Sequence, residues 1–192
     1  MQEKRLKELL IDAHATCARR PCSSSTILVE AFHANGRNTF GAIAAAISSL
    51  GGPHAPIEEA YRFLRLGIEM GRRDMARHVI QILNEGCRVP GWGCAFVKGH
   101  PDPIWAKLRG HLLTSCTGQD ALKTMEVVTS TLAVNGRPIQ PNAAAYTALV
   151  AQFLGYSAET AALLLLECRL PEWGRMLEEI NGPEPATKFM SR

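Results

Sequence analysis

The chain has 192 residues, of which 46% are hydrophobic and 20% are charged. This composition is ordinary for a globular protein and excludes a disordered chain, a collagen and a coiled coil. A chain of this length forms one domain, or one domain with a small lobe, and buries roughly 70% of its unfolded surface. The formal net charge of +3 is small, whereas nucleic-acid-binding proteins carry a more basic, clustered patch. We therefore expect no nucleic-acid partner.

No apolar run approaches the roughly 20 residues that a membrane-spanning helix needs. The longest runs are Ala42–Ile47 and Ala161–Leu166. The first residues, MQEKRLKELL, predict a charged amphipathic helix rather than a signal peptide, because they contain no apolar core region. We therefore expect a cytoplasmic protein that does not contact a membrane. Its six cysteines are expected to be reduced and mostly buried.

Apolar residues recur every three or four positions along nearly the whole chain, and strict alternation is missing, so the predicted fold is all-α. Gly, Pro and N-cap residues divide the pattern into helices, and the predicted N-caps include Asp102, Asn142 and Ser157. The predicted helices are Gln2–Cys17, Ser23–Ala34, Thr39–Leu50, Pro56–Met70, Arg72–Glu85, a helix that begins at Asp102-Pro103, Asp120–Val134, Asn142–Leu154, Ser157–Leu170 and Pro171–Ile180. Loops are expected at residues 86–103 and 137–141, and a frayed tail is expected from residue 181 onward.

Two Gly- and Pro-rich loops are the candidate functional sites, because loops carry function more often than helices do. The first loop is Leu50–Pro56. Its His54 precedes a predicted helix N-terminus, where a neutral imidazole can donate a hydrogen bond to a developing oxyanion. In the second loop, Gly91 and Gly93 allow the backbone to approach a ligand closely, and Lys98 can contact a phosphate or carboxylate. Each of these residues could instead be an ordinary loop residue without a function in binding, and Trp92 could pack on the core.

The second loop allows two further interpretations. Cys87, Cys94 and His100 could bind zinc, although structural zinc sites prefer ligand pairs two to four residues apart. Cys94 could also act as a nucleophile with His100 as its base. The histidines of the predicted helices are expected to be ordinary surface or core residues: His14, His33, His78 and His111.

Three segments, taken together, carry a resemblance to a known family. Gly41–Ala60 is GAIAAAISSLGGPHAPIEEA, Val89–Pro103 is VPGWGCAFVKGHPDP, and Pro141–Gly155 is PNAAAYTALVAQFLG. In this order they resemble the citrate synthase family's helix with its G-P-L-H-G-G-A-N-E-A loop, its P-G-F-G-H-R-V-Y-K-x-x-D-P-R loop and its N-V-D-F-Y-S-A-L-V segment. The blocks have similar spacings in the family and span about Arg20–Trp173, most of the chain.

Members of that family join acetyl-CoA to oxaloacetate or cleave the product. A carboxylate removes a methyl proton from the thioester, while histidines and arginines hold the enol and the oxoacid. The resemblance places the enol-holding His at His54, the carbonyl-polarising His at Cys94 and the proton-abstracting carboxylate at Ala144. It places an oxoacid-gripping Arg at Ile104, after a one-residue insertion, and an upstream His at Arg20.

These departures imply a degenerate active site. The methyl group of Ala144 cannot accept a proton, and loss of a general base typically costs roughly 10²–10⁴-fold in rate. Ile104 cannot form a bidentate clamp on a carboxylate, and the Cys94 thiol is a weaker donor than an imidazole. The candidate substrate-binding substitutes are Arg20, Lys98 and His100, and the candidate coenzyme-binding residues are Gly91, Trp92 and Gly93.

The resemblance implies an all-α, citrate-synthase-like bundle in which a small lobe, residues 55–134, is inserted in a truncated large lobe, residues 1–54 and 135–192. The family's long helical N-terminal part is missing from this sequence, which is closer in size to short, citryl-CoA-lyase-like members. The expected ligand is a coenzyme A thioester or a small 2-oxoacid, with no metal. The expected assembly is a homodimer through Thr39–Leu50. The alternative is a catalytically inactive helical dimer, or a partner subunit of a full-length citrate synthase.

Overall fold

The protein is a helical bundle in its computed structural model, which describes residues 2–20, 24–36, 38–50, 56–94, 99–114 and 119–181. Over these residues the backbone contains one isolated β-bridge, between Trp92 and Pro141, and a 3-10 turn at Pro103–Trp105. The α-helices are α1 (Gln2–Ala18), α2 (Ser24–Gly36), α3 (Thr39–Ser48), α4 (Ile57–Met70), α5 (Arg72–Asn84), α6 (Ala106–Thr114), α7 (Gln119–Val134), α8 (Ala143–Phe153) and α9 (Ala158–Asn181). The all-α prediction is confirmed.

Helix α8 lies at the centre of the main apolar core. Every residue from Ala144 to Ala151 is buried, and α8 packs against α4, α9 and α1. Four alanines in this stretch give the helix little side-chain bulk, so its neighbours approach its backbone closely. A smaller cluster, which includes Val29, Ala42 and Trp173, packs α2 and α3 against the C-terminal half of α9. The candidate site residues lie around α8.

Helix α9 corrects one sequence prediction. The sequence predicts a break at Pro171, but α9 continues through it for a further ten residues, to Asn181. Proline removes one hydrogen bond and strains a helix interior, at a cost of roughly 3 kcal/mol. Beyond Pro171, Trp173 and Leu177 are almost fully buried, and we attribute the continuation to the packing of this apolar face.

The predicted helix caps are confirmed at three positions. Asn142 and Asp102 accept hydrogen bonds from backbone N–H groups of the turns that follow them, and the Ser157 hydroxyl accepts one from the N–H of Thr160. Thr26 lies in the first turn of α2. Its hydroxyl donates to the carbonyl of Ala18 at 2.7 Å, which ties α2 to the end of α1.

Several predictions fall on residues outside the described ranges. They include the loop that contains His54, the segment with Lys98, and the tail from residue 182 onward. The division into lobes at residues 54 and 134 stays a prediction. None of the described helices is alone long and apolar enough to cross a membrane; α8 and α9 meet that criterion of length and composition together, as a pair bent by 117°.

Candidate functional site

The Gly- and Pro-rich loop at residues 86–94 is tied to the N-terminus of α8 by Asn142. The Asn142 side chain accepts a hydrogen bond from the N–H of Ala144 at 2.9 Å and donates one to the carbonyl of Gly93 at 2.9 Å. The backbone N–H of Asn142 donates to the carbonyl of Gly91, also at 2.9 Å. Asn142 therefore caps α8 and holds the loop beside the first turn of α8. In this way it joins two of the segments that carry the family resemblance, Val89–Pro103 and Pro141–Gly155.

Gly91 and Trp92 hold this loop on the protein core. Gly91 has a φ of 85°, and a Cβ placed there would lie 3.0 Å from the Cβ atoms of both Ala60 and Ala145. The indole N–H of Trp92 donates to the hydroxyl of Thr129 at 3.0 Å. The close approach that glycine permits is thus to the core, contrary to the expected approach to a ligand. The coenzyme-binding role of Gly91, Trp92 and Gly93 stays a prediction.

Arg20, which follows α1, lies against the end of the same loop. Its Nη2 donates to Oδ1 of Asp102 at 2.8 Å, and its Nη1 contacts Sγ of Cys94 at 3.7 Å. The Asp102 side chain is only 3% exposed. Burial disfavours the charge of Arg20, but the hydrogen bond to Asp102 and the surrounding charges raise its pKa overall. The structure thus brings two predicted site residues together, around a buried carboxylate that sequence reasoning treated only as a helix cap.

A buried chain of hydrogen bonds runs from α9 through α1 to the first turn of α8. The Nε–H of Arg169 donates to Nδ1 of His14 at 3.1 Å. With Nδ1 accepting, a neutral His14 carries its proton on Nε2, which donates to the Thr147 hydroxyl at 2.8 Å. The Thr147 hydroxyl donates in turn to the carbonyl of Ala143 at 2.8 Å.

His14 is held in its neutral form by its surroundings. It is 0% exposed. Burial lowers its pKa well below the usual value of 6.5, and the charge of Arg169 lowers it further. His14 can therefore act as the acceptor that orients the Arg169 guanidinium. The sequence predicts His14 to be an ordinary surface or core residue and does not indicate its hydrogen bond to Arg169.

Arg169 carries a buried positive charge that the described residues only partly satisfy. The residue is 8% exposed, and its Nη1 is buried with no hydrogen-bond partner there. Burial lowers its pKa from the usual value, yet a guanidinium stays protonated in proteins. A buried donor without a partner costs roughly 1–3 kcal/mol, and more when the group is charged. Such a group is suited to bind an anion.

The Cys17 thiol connects the two arginines electrostatically. It interacts with the charges of Arg169, Arg20 and Asp102 and with the Cys94 thiol. Burial raises its pKa to about 11, so it is uncharged at neutral pH. The two guanidinium groups therefore belong to one region of the structure, on the side of α1 that contains His14 and Cys17.

An aromatic wall borders this region. The Trp105 and Tyr146 rings are stacked, with centroids 4.8 Å apart and planes 11° apart, and His14 meets Trp105 edge-on at 5.5 Å. Burial raises the pKa of Tyr146 to about 12, so the phenol is neutral. Apolar surroundings of this kind strengthen the attraction between a buried cation and an anion.

The remaining predicted residues are dispersed or fall outside the described ranges. Ala144 is 4% exposed at the start of α8, whereas Cys87 and His100 are exposed. Among the described residues no group of three or more His, Cys, Asp or Glu side chains could hold a metal ion, and this includes Cys87, Cys94 and His100. His54 and Lys98 are not described.

Sequence reasoning missed Arg169, although the sequence contains a signal for it. Arg169 lies four residues after Leu165 and four before Trp173, and these flanking residues are both buried. A charged residue at this spacing falls on the apolar face of a helix. An arginine there is rarely buried without a partner, which marks it as a candidate binding residue.

The sequence matches one protein-family model over almost its whole length. The model described as the C-terminal domain of citrate synthase matches residues 4–180. The chain belongs to the citrate synthase family. A search of the curated proteins found no match to the chain.

Solved structures of the citrate synthase family share this fold. The citryl-CoA lyase from Hydrogenobacter thermophilus is 20% identical with a TM-score of 0.73, over 100% of this chain and 74% of the lyase. The citrate synthase from Thermotoga maritima MSB8 is 18% identical with a TM-score of 0.73, over 97% of this chain and 51% of the synthase. The ATP citrate lyase from Methanothrix soehngenii, solved with citrate and coenzyme A, is 16% identical with a TM-score of 0.73.

The chain therefore spans about three quarters of the citryl-CoA lyase, half of the citrate synthase and, at 34%, a third of the ATP citrate lyase. As a citrate synthase family member it carries a methyl group, Ala144, where the resemblance places the family's carboxylate. The carboxylate that the structure brings to this region is Asp102, and it is bonded to Arg20.

Proposed function

We propose that the protein binds a small carboxylate ligand, a 2-oxoacid or an acyl-CoA, beside Arg169 and the N-terminus of α8. The observation that carries the proposal is the buried Arg169 guanidinium, whose Nη1 has no partner among the described residues. A bound carboxylate would satisfy this donor through a charge-assisted hydrogen bond. His14 orients the guanidinium from the opposite side through its Nδ1.

The coenzyme is proposed from the relatives. The ATP citrate lyase from Methanothrix soehngenii was solved with citrate and coenzyme A, and the D541A mutant of the ATP citrate lyase from Methanosaeta concilii was solved with (3S)-citryl-CoA. We propose that a coenzyme A thioester is a ligand of this protein as well, without a metal ion. Lys98 and His100 are proposed to contact its phosphates or the oxoacid, and His54 is proposed to lie near its thioester.

We further propose that the family's carbon–carbon bond chemistry is impaired. Ala144 has no group that can accept a proton, and Ile104 replaces the cation of the family's oxoacid clamp. Asp102, the carboxylate of this region, is already bonded to Arg20. Loss of the base alone costs roughly 10²–10⁴-fold in rate.

The second candidate function is a helical dimer or a partner subunit of a full-length citrate synthase. It is favoured by the apolar side chains exposed on α2 and α3, which include Phe40 at 87% and Phe32 at 52% exposed. Large contiguous apolar patches typically mark interaction surfaces. We propose that α3, which forms most of the predicted Thr39–Leu50 helix, lies at a homodimer interface. A monomer at micromolar concentration in size-exclusion chromatography with light scattering would contradict this assembly.

Isothermal titration calorimetry tests the binding function. Pyruvate and acetyl-CoA are titrated into the wild-type protein and into Arg169→Gln, which removes the charge but keeps an amide that can donate to His14. We expect the affinity of Arg169→Gln for pyruvate to fall at least about tenfold, in line with loss of a charge-assisted bond. The matched control is Arg77→Gln, because Arg77 is an exposed arginine of α5 in a surface pair with Asp74.

This experiment distinguishes the binding function from the structural alternative. Heat of binding that is lost in Arg169→Gln and kept in Arg77→Gln supports the binding function. Absence of binding by both ligands in the wild-type protein would overturn it and leave the structural alternative. Thermal unfolding of each variant shows that the fold is retained.

A further inference from the structure

A surface groove runs between α2 and the C-terminal part of α9, beside the end of α1. Its volume is about 330 Å³, and it is lined by Arg19, Glu30, Met176, Glu179 and Ile180. We call it the α2–α9 groove. Small-molecule pockets have volumes of roughly 300–1,000 Å³, so this groove is at the lower end of that range. It therefore suits a single side chain of a partner better than a large ligand.

Both helices supply apolar surface to the groove. On α9, Met176 and Ile180 are one helical turn apart and so lie on the same face of the helix, and Ile180 is exposed. On α2, the exposed Ile27 lies three residues before Glu30, which places the two side chains next to each other. The groove therefore has apolar walls beside a carboxylate.

Arg19 does not give the groove a free positive charge. Its Nε donates to the buried carboxylate of Glu172, and its Nη2 donates to Oε1 of Glu179 at 2.8 Å. Arg175 also pairs with Glu172. Because Arg19 is already neutralised by carboxylates of the same chain, an anionic partner would gain little from it.

Glu30 is the unpaired charge of the groove. It is exposed, and no hydrogen bond or ion pair joins it to another side chain in the part of the chain that the structure describes. The last turn of α9 contains no basic residue, although the C-terminus of a helix carries a partial negative charge. The groove is therefore complementary to a cation that carries an apolar group.

We infer that the α2–α9 groove is a docking site for a partner protein segment that presents a lysine among apolar residues. The lysine ammonium binds the carboxylate of Glu30. Its stem and the flanking apolar side chains pack on Met176 and Ile180. A lysine stem covers apolar surface while its charged end stays near water, which matches a groove with apolar walls and an exposed carboxylate.

The test uses a pair of peptides that differ in one charge. The peptides are acetyl-Leu-Lys-Leu-amide and acetyl-Leu-norleucine-Leu-amide, in which norleucine replaces the lysine with a side chain of similar shape and no charge. Binding at low ionic strength is followed by NMR through the methyl signals of Met176 and Ile180, with the buried Met75 and Ile57 as references. We expect the lysine peptide to bind about two- to fivefold more tightly, as for an exposed ion pair, and this advantage should shrink at high salt.

Three variants separate the contributions to binding. Glu30→Gln should abolish the advantage of the lysine peptide and should keep the fold, because Glu30 is exposed. Ile180→Ala should weaken the binding of both peptides. The matched control is Glu59→Gln, since Glu59 is an exposed glutamate of α4 and its replacement should leave both affinities unchanged.

Four outcomes would overturn the inference. They are equal binding of the two peptides, absence of binding by either, an advantage of the lysine peptide that persists in Glu30→Gln, and binding of n-butylammonium as tight as that of the lysine peptide, which would indicate a small-amine site. Peptide-free shifts of the Met176 and Ile180 methyl signals that grow with protein concentration would also overturn it, because a second copy would then cover the groove. None of these results bears on the proposed carboxylate binding, since Arg169 and His14 do not line the groove.

Discussion

The Nε–H of Arg169 donates to Nδ1 of His14 at 3.1 Å, although the two residues are 155 positions apart in the sequence. The bond joins the long helix α9 to α1 at a buried point. It also fixes which nitrogen of His14 carries the proton, and that proton is donated to Thr147 on α8. The contact therefore depends on a neutral His14, which makes it sensitive to acid.

We expect His14 to make the protein less stable in acid. The folded-state pKa of His14 lies below its unfolded value of about 6.5, so the unfolded chain binds this proton more readily. Its contribution to stability is complete above pH 6.5 and falls by up to about 1.4 kcal/mol per pH unit below it, until the folded-state pKa is reached.

Urea unfolding between pH 7.5 and 5 measures this effect. His14→Gln should be less stable than the wild-type protein at pH 7.5 and should lose less stability on acidification. His78→Gln, at a half-buried histidine of α5, should keep the wild-type loss. Parallel pH profiles for the wild-type protein and His14→Gln would show that His14 is not the group responsible.

The loop glycines provide a matched pair of variants. Gly91 and Gly93 both have positive φ values, 85° and 101°, but only at Gly91 would a Cβ meet neighbours, the Cβ atoms of Ala60 and Ala145. Gly93→Ala should cost about 1–2 kcal/mol from the backbone conformation alone, and Gly91→Ala a further 1–3 kcal/mol or so from overpacking. Urea midpoints measure the difference, and equal losses would contradict the close packing at Gly91.

The two asparagine caps provide a second pair. Asn142 caps α8 and also donates to Gly93, whereas Asn38 only caps the exposed start of α3. Asn38→Ala should cost about 1 kcal/mol. Asn142→Ala should cost about 1–2 kcal/mol more, because the Gly93 carbonyl loses its bond as well. Chemical denaturation would contradict the dual role if the two variants lost the same stability.

Replacement of Pro171 tests the continuity of α9. Pro171 is exposed and lies inside the helix, so Pro171→Ala restores a backbone hydrogen bond and relieves the strain. We expect the free energy of unfolding to rise by about 1–3 kcal/mol. A lower thermal midpoint for Pro171→Ala would indicate that a new helix begins at this residue, as the sequence alone suggests.

The sequence predicts the helices well because their signals are local. Periodic apolar residues and caps such as Asn142 and Ser157 act within a turn or two of their own position. Pro171 is the exception, since packing of Trp173 outweighs a local helix breaker. The intrinsic helix propensity of a residue predicts its structure only weakly, because tertiary contacts can override it.

The candidate site is less predictable because its contacts join distant parts of the chain. Arg20 could be named from the family resemblance, but its partner Asp102 lies 82 positions away and was predicted only as a helix cap. His14 and Arg169 carry no local motif. Their roles follow from burial and from a long-range hydrogen bond, neither of which one sequence reveals.

We propose that this citrate synthase family member retains a carboxylate-binding region but lacks the base for carbon–carbon bond chemistry. Release of free thiol from acetyl-CoA and oxaloacetate, followed with a thiol reagent, tests the claim most directly. We expect the wild-type rate to be at or near background, because Ala144 cannot abstract a proton. A turnover near the ~10 s⁻¹ of an ordinary enzyme would contradict the claim and show that another group supplies the missing base.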